Sequence, residues 1–151
     1  MGVTIRIASD DDRSAVAGLR RRWNEENAGG SIDDPGFDAS FAGWWRTEAP
    51  TRTFFLAEDA GEPIGMANVK RYTRMPAAGM ADAGTWGYVG NVFVLAERRG
   101  ARIGEQLMHE VLAWAGREGL GHLRLAPSPR SVTFYARLGY EPGAVVQMNP
   151  S

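Results

Sequence analysis

The clearest hydrophobic pattern of the chain lies in residues 88–115. Residues 88–94, YVGNVFV, are rich in β-branched and aromatic residues and carry apolar side chains on both faces. This pattern predicts a central strand that is covered on both sides. From Ile103 onward, apolar residues recur at helical spacing as far as Ala115, which predicts an amphipathic helix. A short basic turn that contains glycine lies between the strand and the helix.

The pattern of the first half predicts a strand, two helices and a hairpin. Alternation of apolar and polar residues indicates the strand, and Ser9 followed by three aspartates is typical of a helix start. Two apolar segments on either side of a glycine-containing turn indicate the hairpin. The predicted elements are a strand at 3–7, a helix that begins after Ser9 and ends within 24–30, a helix at 37–47, and strands at 53–58 and 63–72.

The segment after the central helix predicts a short strand, a further helix and a last edge strand. Residues 122–126 are mostly apolar, and we expect them to lie parallel to the central strand because a helix separates the two. A helix is predicted from about Arg130 to Leu138, with Gly139 well placed to end it. The residues that follow leave room for one more strand.

Composition limits the class of protein. A chain of 151 residues, 44% hydrophobic and 23% charged, is typical of one soluble globular domain. The net charge of −1 gives no global indication of nucleic acid or membrane as a partner. No segment approaches the roughly 20 apolar residues of a membrane span, and no signal peptide is recognisable, so we expect a cytoplasmic protein. The absence of cysteine excludes disulfides, thiolate metal sites and a cysteine acyl-enzyme.

The basic turn before the central helix has the features of a phosphate site. The first N–H groups of a helix have no carbonyl partner within it, and the helix dipole favours an anion there. Arg98, Arg99 and Arg102 add positive charge. The chain has neither G-x-x-x-x-G-K-[ST] nor an early G-x-G-x-x-G, which argues against nucleotide hydrolysis and a dinucleotide fold. The alternative is an ordinary turn with solvated arginines.

Residues 99–104, RGARIG, resemble the [QR]-x-x-G-x-[GA] loop of the GNAT superfamily, the Gcn5-related N-acetyltransferases. The loop departs from the motif at Arg102, where the first glycine is usual. Glycine at that point lets the backbone approach a phosphate closely. In the family, the amides of this loop hold the pyrophosphate of acetyl-coenzyme A.

A second segment, residues 128–142, resembles the closing motif of the same family, N-x-x-A-x-x-F-Y-x-x-x-G-F. Ser128 replaces the asparagine and Ser131 the alanine, while the Phe-Tyr pair at 134–135 matches unchanged. Two motifs in the right order, with a strand between them, are much more specific than either alone. The resemblance covers residues 86–142, and the first half matches only in its order of elements.

The resemblance implies a single α/β domain over residues 1–151, with a mixed, mostly antiparallel sheet, flanking helices and a central parallel strand pair. Acetyl-coenzyme A would bind where those two strands diverge, and a backbone N–H near Phe93 or Val94 would polarise the thioester carbonyl. The expected coenzyme-binding residues are Phe93, Val94, Leu95, Arg99, Gly100, Ala101, Arg102, Ile103, Gly104, Ser128, Ser131 and Tyr135.

The resemblance also assigns catalytic candidates. Tyr135, which we expect in an apolar arc with Val132, Phe134 and Leu138, would act as general acid toward the leaving thiolate; the alternative is a purely structural core tyrosine. Some members carry a glutamate on the central strand, where this chain has Gly90 and Asn91. Asn91 is a catalytic candidate by position, although its side chain is no useful base.

The general base is therefore unassigned by the sequence: a water chain or Glu58 across the sheet are the two substitutes. His109 and His122 are far apart, and without cysteine they do not indicate a metal site. No metal cofactor is expected.

The expected reaction is direct transfer of acetyl from acetyl-CoA to the amine of a small molecule or a peptide N-terminus. The acceptor pocket would lie between the loops at 24–37 and 73–86, and its acidic residues would attract a protonated amine. Its expected walls are Trp23, Trp44, Tyr72 and Trp86. The rival hypotheses are a non-catalytic acyl-CoA sensor and an unrelated phosphate-binding domain. We expect a monomer or homodimer.

Overall fold

The computed structural model of the protein describes residues 2–79, 84–140 and 146–148. Part of the predicted loop at 73–86 and the end of the closing motif lie outside the described residues. The elements, in order, are β1 (Val3–Ile7), α1 (Arg13–Ala28), α2 (Phe37–Glu48), β2 (Arg52–Asp59), β3 (Glu62–Thr73), β4 (Thr85–Val94), α3 (Ile103–Arg117), β5 (Leu123–Leu125), α4 (Val132–Arg137) and β6 (Val146–Met148). Short 3-10 turns precede α1, β2, α3 and α4.

The strands form one six-stranded sheet in the order β1-β2-β3-β4-β5-β6. Every neighbouring pair is antiparallel except β4 and β5, which are parallel and connected through α3. This confirms the predicted mixed sheet with one central parallel pair. None of the described helices is long and apolar enough to cross a membrane.

The β2–β3 hairpin shows how local sequence determines the topology. Its two turn residues, Ala60 and Gly61, have φ angles of 52° and 84°. A two-residue turn with both φ angles positive matches the twist of the flanking strands. Glycine adopts this conformation at little cost, whereas Ala60 does so under constraint. The predicted hairpin is confirmed.

Helices cover both faces of the sheet. On one face, Trp23 of α1 stacks on Phe93 at 5.3 Å between ring centroids, and Trp45 of α2 lies 4.7 Å from Phe54. On the other face, Trp114 of α3 makes an edge-on contact with Phe55 at 5.5 Å. The side chains of adjacent residues in β2 thus pack on opposite faces of the sheet, because side chains alternate along a strand. The result is a three-layer arrangement with α1 and α2 on one side and α3 on the other.

The prediction that the central strand is covered on both sides is wrong for its middle. Val89 and Phe93 are buried, but Tyr88 is 38% exposed. The short strand β5 pairs with β4 only at Gly87 and Tyr88. Because α1 packs near Phe93, at the far end of β4, the middle of the strand keeps an open face. Some hydrophobic residues in the middle of β4 therefore line a cavity and do not only pack in the core.

An extra residue interrupts the pairing of β4 with β3. Met66 pairs with Phe93 and Asn68 with Gly90, so two steps along β3 correspond to three along β4. Within this bulge Asn91 has a φ of 54°, in the left-handed region. Asparagine tolerates this conformation better than most residues. Such bulges bend a strand and redirect its side chains.

Gly87 provides a test of the packing around β4. A Cβ atom at this position would lie 2.6 Å from Cγ1 of Val69 and 2.9 Å from Cδ2 of Leu123. We therefore expect Gly87→Ala to lower the free energy of unfolding by about 1–3 kcal/mol, as overpacked cores do. Chemical denaturation measures this loss.

Gly90→Ala is the matched control, because the nearest atom to its added Cβ is Oδ1 of Asn68 at 3.9 Å. Its free energy of unfolding should stay close to that of the parent. Equal stabilities of the two variants would contradict the close packing at Gly87.

Candidate active site

The loop between β4 and α3 presents backbone amides at a helix start. Gly100 and Arg102 have φ angles of 88° and 63°, and α3 begins at Ile103. The first helical hydrogen bond at this end runs from the N–H of Gln106 to the carbonyl of Arg102 at 3.0 Å. The amides just before Gln106 are thus without a helical carbonyl partner. Their number and direction suit a phosphate group.

The departure from the family motif at Arg102 does not alter the backbone. With a φ of 63°, Arg102 has the left-handed conformation that glycine adopts most readily. A non-glycine residue takes it at a cost of roughly 1–2 kcal/mol. The loop therefore keeps the shape that a glycine at this position would favour, and it adds an exposed guanidinium.

The three arginines of the loop have different partners, which the sequence did not show. Arg98 Nη1 lies 2.7 Å from Oδ2 of Asp59. Arg99 makes two hydrogen bonds to Glu26, at 2.7 and 2.9 Å, and its Nε donates to the carbonyl of Val94 at 3.1 Å. Arg102 takes part in no ion pair within the described residues. Arg98 and Arg99 thus fasten the loop, and only Arg102 adds uncompensated charge.

The end of β4 lies directly beside this loop. The N–H of Leu95 donates to the carbonyl of Ile64 in β3 at 2.9 Å. By strand alternation the N–H of Val94 points the opposite way, toward the side from which β5 has diverged. Phe93 faces β3 with its backbone and stacks on Trp23 with its ring. Of the two predicted N–H donors, Val94 is therefore better placed.

Tyr135 lies on α4, next to the same loop. A Cβ atom on Gly104 would lie 3.4 Å from Cζ of Phe134, so α4 adjoins the start of α3. Tyr135 is 6% exposed and makes edge-on contacts with Phe134 and Tyr140. Burial raises the pKa of its phenol to about 12. Within the described residues its hydroxyl makes no hydrogen bond, which leaves the O–H available to a ligand.

Two details of this segment differ from expectation. Val132 was predicted on the apolar arc of the helix but is 42% exposed, because α4 begins only at that residue, after a 3-10 turn. Ser128 and Ser131 hydrogen-bond each other, with 3.0 Å between their Oγ atoms. They shape the turn before α4, and their proposed contact with coenzyme stays a prediction.

Two cavities of about 440 and 430 Å³ lie on the α1–α2 side of the sheet and share Arg52 and Asn91. Trp44 lines the first and Tyr72 the second. Trp23 and Trp86 line neither: Trp23 stacks on Phe93, and Trp86 stacks between Tyr72 and His122. The first cavity is otherwise formed by Val16, Arg20, Phe37, Ser40, Phe41, Phe54, Met66 and Asn68, and the second by Lys70, Tyr88, Val89, Gly90 and Ala126.

A chain of hydrogen bonds that the sequence did not reveal ends at Asn91. Arg52 donates to Oε1 of Glu48 at 3.2 Å and to Oδ1 of Asn68 at 3.1 Å. Nδ2 of Asn68 then donates to Oδ1 of Asn91 at 2.8 Å. Asn68 is 1% exposed, the one fully buried polar side chain among the described residues. The only sign of this chain of hydrogen bonds in the sequence is that Asn68 is a lone asparagine in an apolar strand.

The acidic residues predicted to attract an amine lie elsewhere. Glu25 accepts a hydrogen bond from the N–H of Ile32, and Glu26 pairs with Arg99. Glu58, one proposed base, is bound to Arg6 at 2.7 Å on the β1 side of the sheet. Neither cavity is lined by an aspartate or glutamate. Of these carboxylates, that of Glu26 is engaged by a distant element and that of Glu25 by its own helix and loop. The role of the acidic loop at the acceptor site stays a prediction.

Comparison with known proteins agrees with this geometry. The sequence profile of the acetyltransferase (GNAT) family matches residues 17–140. This range includes α4 and residues 99–104 between β4 and α3, which we call the phosphate loop after its predicted ligand. The chain belongs to the GNAT family. Membership removes the alternative of an unrelated phosphate-binding domain. No protein of curated function matches the sequence.

Solved structures of similar fold include several GNAT proteins at low sequence identity. A predicted acetyltransferase of Clostridium acetobutylicum, crystallised with acetyl-CoA, is 17% identical with a TM-score of 0.75, covering 95% of this chain and 92% of that one. A Gcn5-related N-acetyltransferase of Ralstonia eutropha is 22% identical with a TM-score of 0.73, over 95% of both chains. A GNAT acetyltransferase of Brucella melitensis, in complex with acetyl-CoA, is 20% identical with a TM-score of 0.71, over 99% and 89%.

In this GNAT chain, Gly104 tests the phosphate loop. Gly104→Asp would place a carboxylate at the helix start, so we expect affinity for acetyl-CoA to fall at least tenfold by calorimetry, because like charges repel there. Gly104→Ala is the control, since its Cβ meets Phe134 at an ordinary contact distance of 3.4 Å. Equal affinities of the two variants would show that phosphate binds elsewhere.

Arg102 separates the contribution of the backbone from that of the side chain. We expect Arg102→Gly to bind acetyl-CoA within about threefold of the parent, because the loop keeps its shape and an exposed charge contributes little. Arg102→Val removes the same charge, but a β-branched residue resists a positive φ. Its affinity should fall roughly tenfold. If both variants lost affinity for acetyl-CoA equally, the guanidinium, and not the backbone conformation, would account for the contribution of Arg102.

Proposed function

We propose that this GNAT protein transfers an acetyl group from acetyl-CoA directly to the primary amine of a small molecule or a peptide N-terminus. The observation that carries the proposal is the juxtaposition of an amide-lined loop at the start of α3 with the available hydroxyl of Tyr135 on α4. Acetyl-CoA supplies an activated acyl group and a thiolate leaving group. The absence of cysteine from the sequence favours direct attack by the amine.

Each part of the chain has a role in this proposal. The amides of residues 103–105 hold the pyrophosphate, and Arg102 adds positive charge. The N–H of Val94, directed away from β3, stabilises negative charge on the acyl oxygen, a kind of contact whose removal commonly costs about 10²–10³ in rate. The acceptor occupies the two cavities on the α1–α2 side. We retain the remaining predicted coenzyme contacts as part of the proposal.

Tyr135 is proposed as the general acid toward the departing sulfur. Its buried phenol, with a pKa raised to about 12, is fully protonated at neutral pH. The ring of Tyr135 is buried, but its hydroxyl has no protein partner in the described residues and is not itself sealed from solvent, so it is free to donate to a ligand. This favours the catalytic role over the structural one, and the enzyme over the sensor.

Glu48 is not proposed as the base. Its hydrogen bond with Arg52 lowers its pKa, which makes the carboxylate a weaker proton acceptor, and it lines neither cavity. Solvent in the open cavities is therefore the proposed destination of the proton that leaves the amine.

Tyr135→Phe tests the proposed acid. The variant keeps the ring, so acetyl-CoA affinity and stability at pH 7 should change little, while kcat for thiol release should fall about 10²–10⁴-fold. An unchanged kcat would assign the tyrosine to the core. Undetectable turnover by the parent with any amine, despite tight coenzyme binding, would favour the sensor.

The raised pKa adds a readout that does not need turnover. A phenol whose folded pKa of about 12 exceeds its ordinary value near 10 contributes stability that is complete below pH 10 and lost as pH rises toward 12. The melting temperature of the parent should therefore fall more than that of Tyr135→Phe between pH 9 and pH 11. Parallel pH profiles would show that the phenol is not buried in solution.

A further inference from the structure

The polar lining of the two acceptor cavities is cationic. Arg20 and Arg52 line the first cavity, and Arg52 and Lys70 line the second, with no carboxylate in either lining. The nearest acid is Glu48, whose Oε1 lies 3.2 Å from Arg52 and 3.5 Å from Lys70. Three cations against this one carboxylate leave a local charge of +2. A site of this sign attracts anions and repels a protonated amine.

Arg20 is the least compensated of the three cations. Its guanidinium lies 4.8 Å from the centroid of the Trp23 ring, and it forms no ion pair within the described part of the chain. A cation–π contact of this kind leaves the N–H groups of a guanidinium available to an oxygen acceptor. Arg20 therefore supplies N–H donors without an acidic partner to the lining of the first cavity.

The hydrogen bonds of Asn68 determine which atom Asn91 offers to a ligand. Arginine can only donate, so the atom of Asn68 that faces Arg52 is Oδ1, and its Nδ2 must face Asn91. Asn91 accepts that bond through Oδ1, so Nδ2 is the donor that it has left for a ligand in the cavities it lines. Because Asn68 is fully buried and held at both ends, this polarity is fixed. The amide adds a third donor to the two arginines.

We infer that the acceptor is an amine that also carries a carboxylate or phosphate group, which Arg20, Arg52 and Asn91 bind; this inference rests on the proposed function. Aromatic walls surround these donors in the first cavity, at Phe37, Phe41, Trp44 and Phe54. They suit an acceptor with an apolar body. Aromatic α-amino acids combine these features.

The same charges also help the reaction. Nearby cations lower the pKa of a bound ammonium group and favour the neutral amine that attacks. The nitrogen forms a bond to the acetyl carbon, the carbon–sulfur bond breaks, and the amine proton passes to solvent while the sulfur is protonated. A cationic site of this kind compensates in part for the absence of a carboxylate base in the cavity lining.

The first experiment compares acceptors that share the same amine-bearing body and differ in the anionic group. Phenylalanine is paired with phenylalanine amide, and phosphoethanolamine with ethanolamine, which separates the carboxylate from the phosphate source. We expect kcat/KM to be at least tenfold higher for the anionic member of one pair. Equal or higher values for both neutral members would overturn the inference while leaving the acetyltransferase proposal intact.

Variants of α1 locate the anion site. Arg20→Gln should lower kcat/KM for the anionic acceptor about tenfold, mainly through KM, and should lower kcat/KM for its neutral partner much less. Arg20→Lys should retain most of the anion preference. Arg13→Gln, an exposed position on the same helix outside both cavities, is the control and should behave as the parent. An anion preference that persists fully in Arg20→Gln would exclude Arg20 as its source.

A binding measurement keeps the inference testable without turnover. N-acetylphenylalanine and its amide, titrated into the protein and followed by NMR, should differ in affinity by at least tenfold in favour of the acid. Such a preference without thiol release from any amine would refute the proposed reaction but support the anion site. The inference would be overturned if the protein neither bound nor acetylated the anionic member of either pair.

Discussion

The extra residue in β4 is the constraint on which both halves of the site depend. Side chains of a strand alternate between faces, so one added residue exchanges the faces of everything beyond it. Before the bulge, Gly87 faces Leu123 and the α3 side; after it, Phe93 turns to Trp23 on the α1 side and Val94 turns to Gly104. Without the bulge, Phe93 would face α3. The N–H of Val94 would then point toward β3 and not toward the loop before α3.

Backbone conformations that are costly for side-chain-bearing residues recur at this site. Outside the hairpin turn, the described non-glycine residues with positive φ are Asn91 and Arg102. One is in the bulge and the other at the phosphate loop. Such conformations persist when the surrounding structure determines them: Asn91 is held through Asn68, and the loop around Arg102 is fastened by the ion pairs of Arg98 and Arg99. The protein thus keeps two backbone conformations that lower its stability, and both shape the site.

Most of the fold was predictable from the sequence because its signals are local. The amphipathic helix at Ile103, the hairpin and the parallel β5 follow from hydrophobic spacing and turn residues, and two short motifs indicated the family. The acceptor side was not predictable, because its charges meet through the register of the sheet. Arg52 and Lys70 are 18 residues apart in sequence but are direct cross-strand partners. Conversely, Glu26, one of the acidic residues clustered in the sequence, is engaged by Arg99 from the loop before α3.

Helix α1 has a consequence for the order in which ligands affect one another. Arg20 on this helix lines the first cavity, and Glu26, less than two turns further on, binds Arg99 of the loop before α3. One helix therefore touches both of the proposed ligand sites. A shift of α1 on binding of either ligand would change the free energy of binding of the other, and thermodynamic linkage would make that effect equal in both directions. The ion pair between Glu26 and Arg99 is accessible to solvent, so added salt would weaken such a coupling through screening before it affects the folded core.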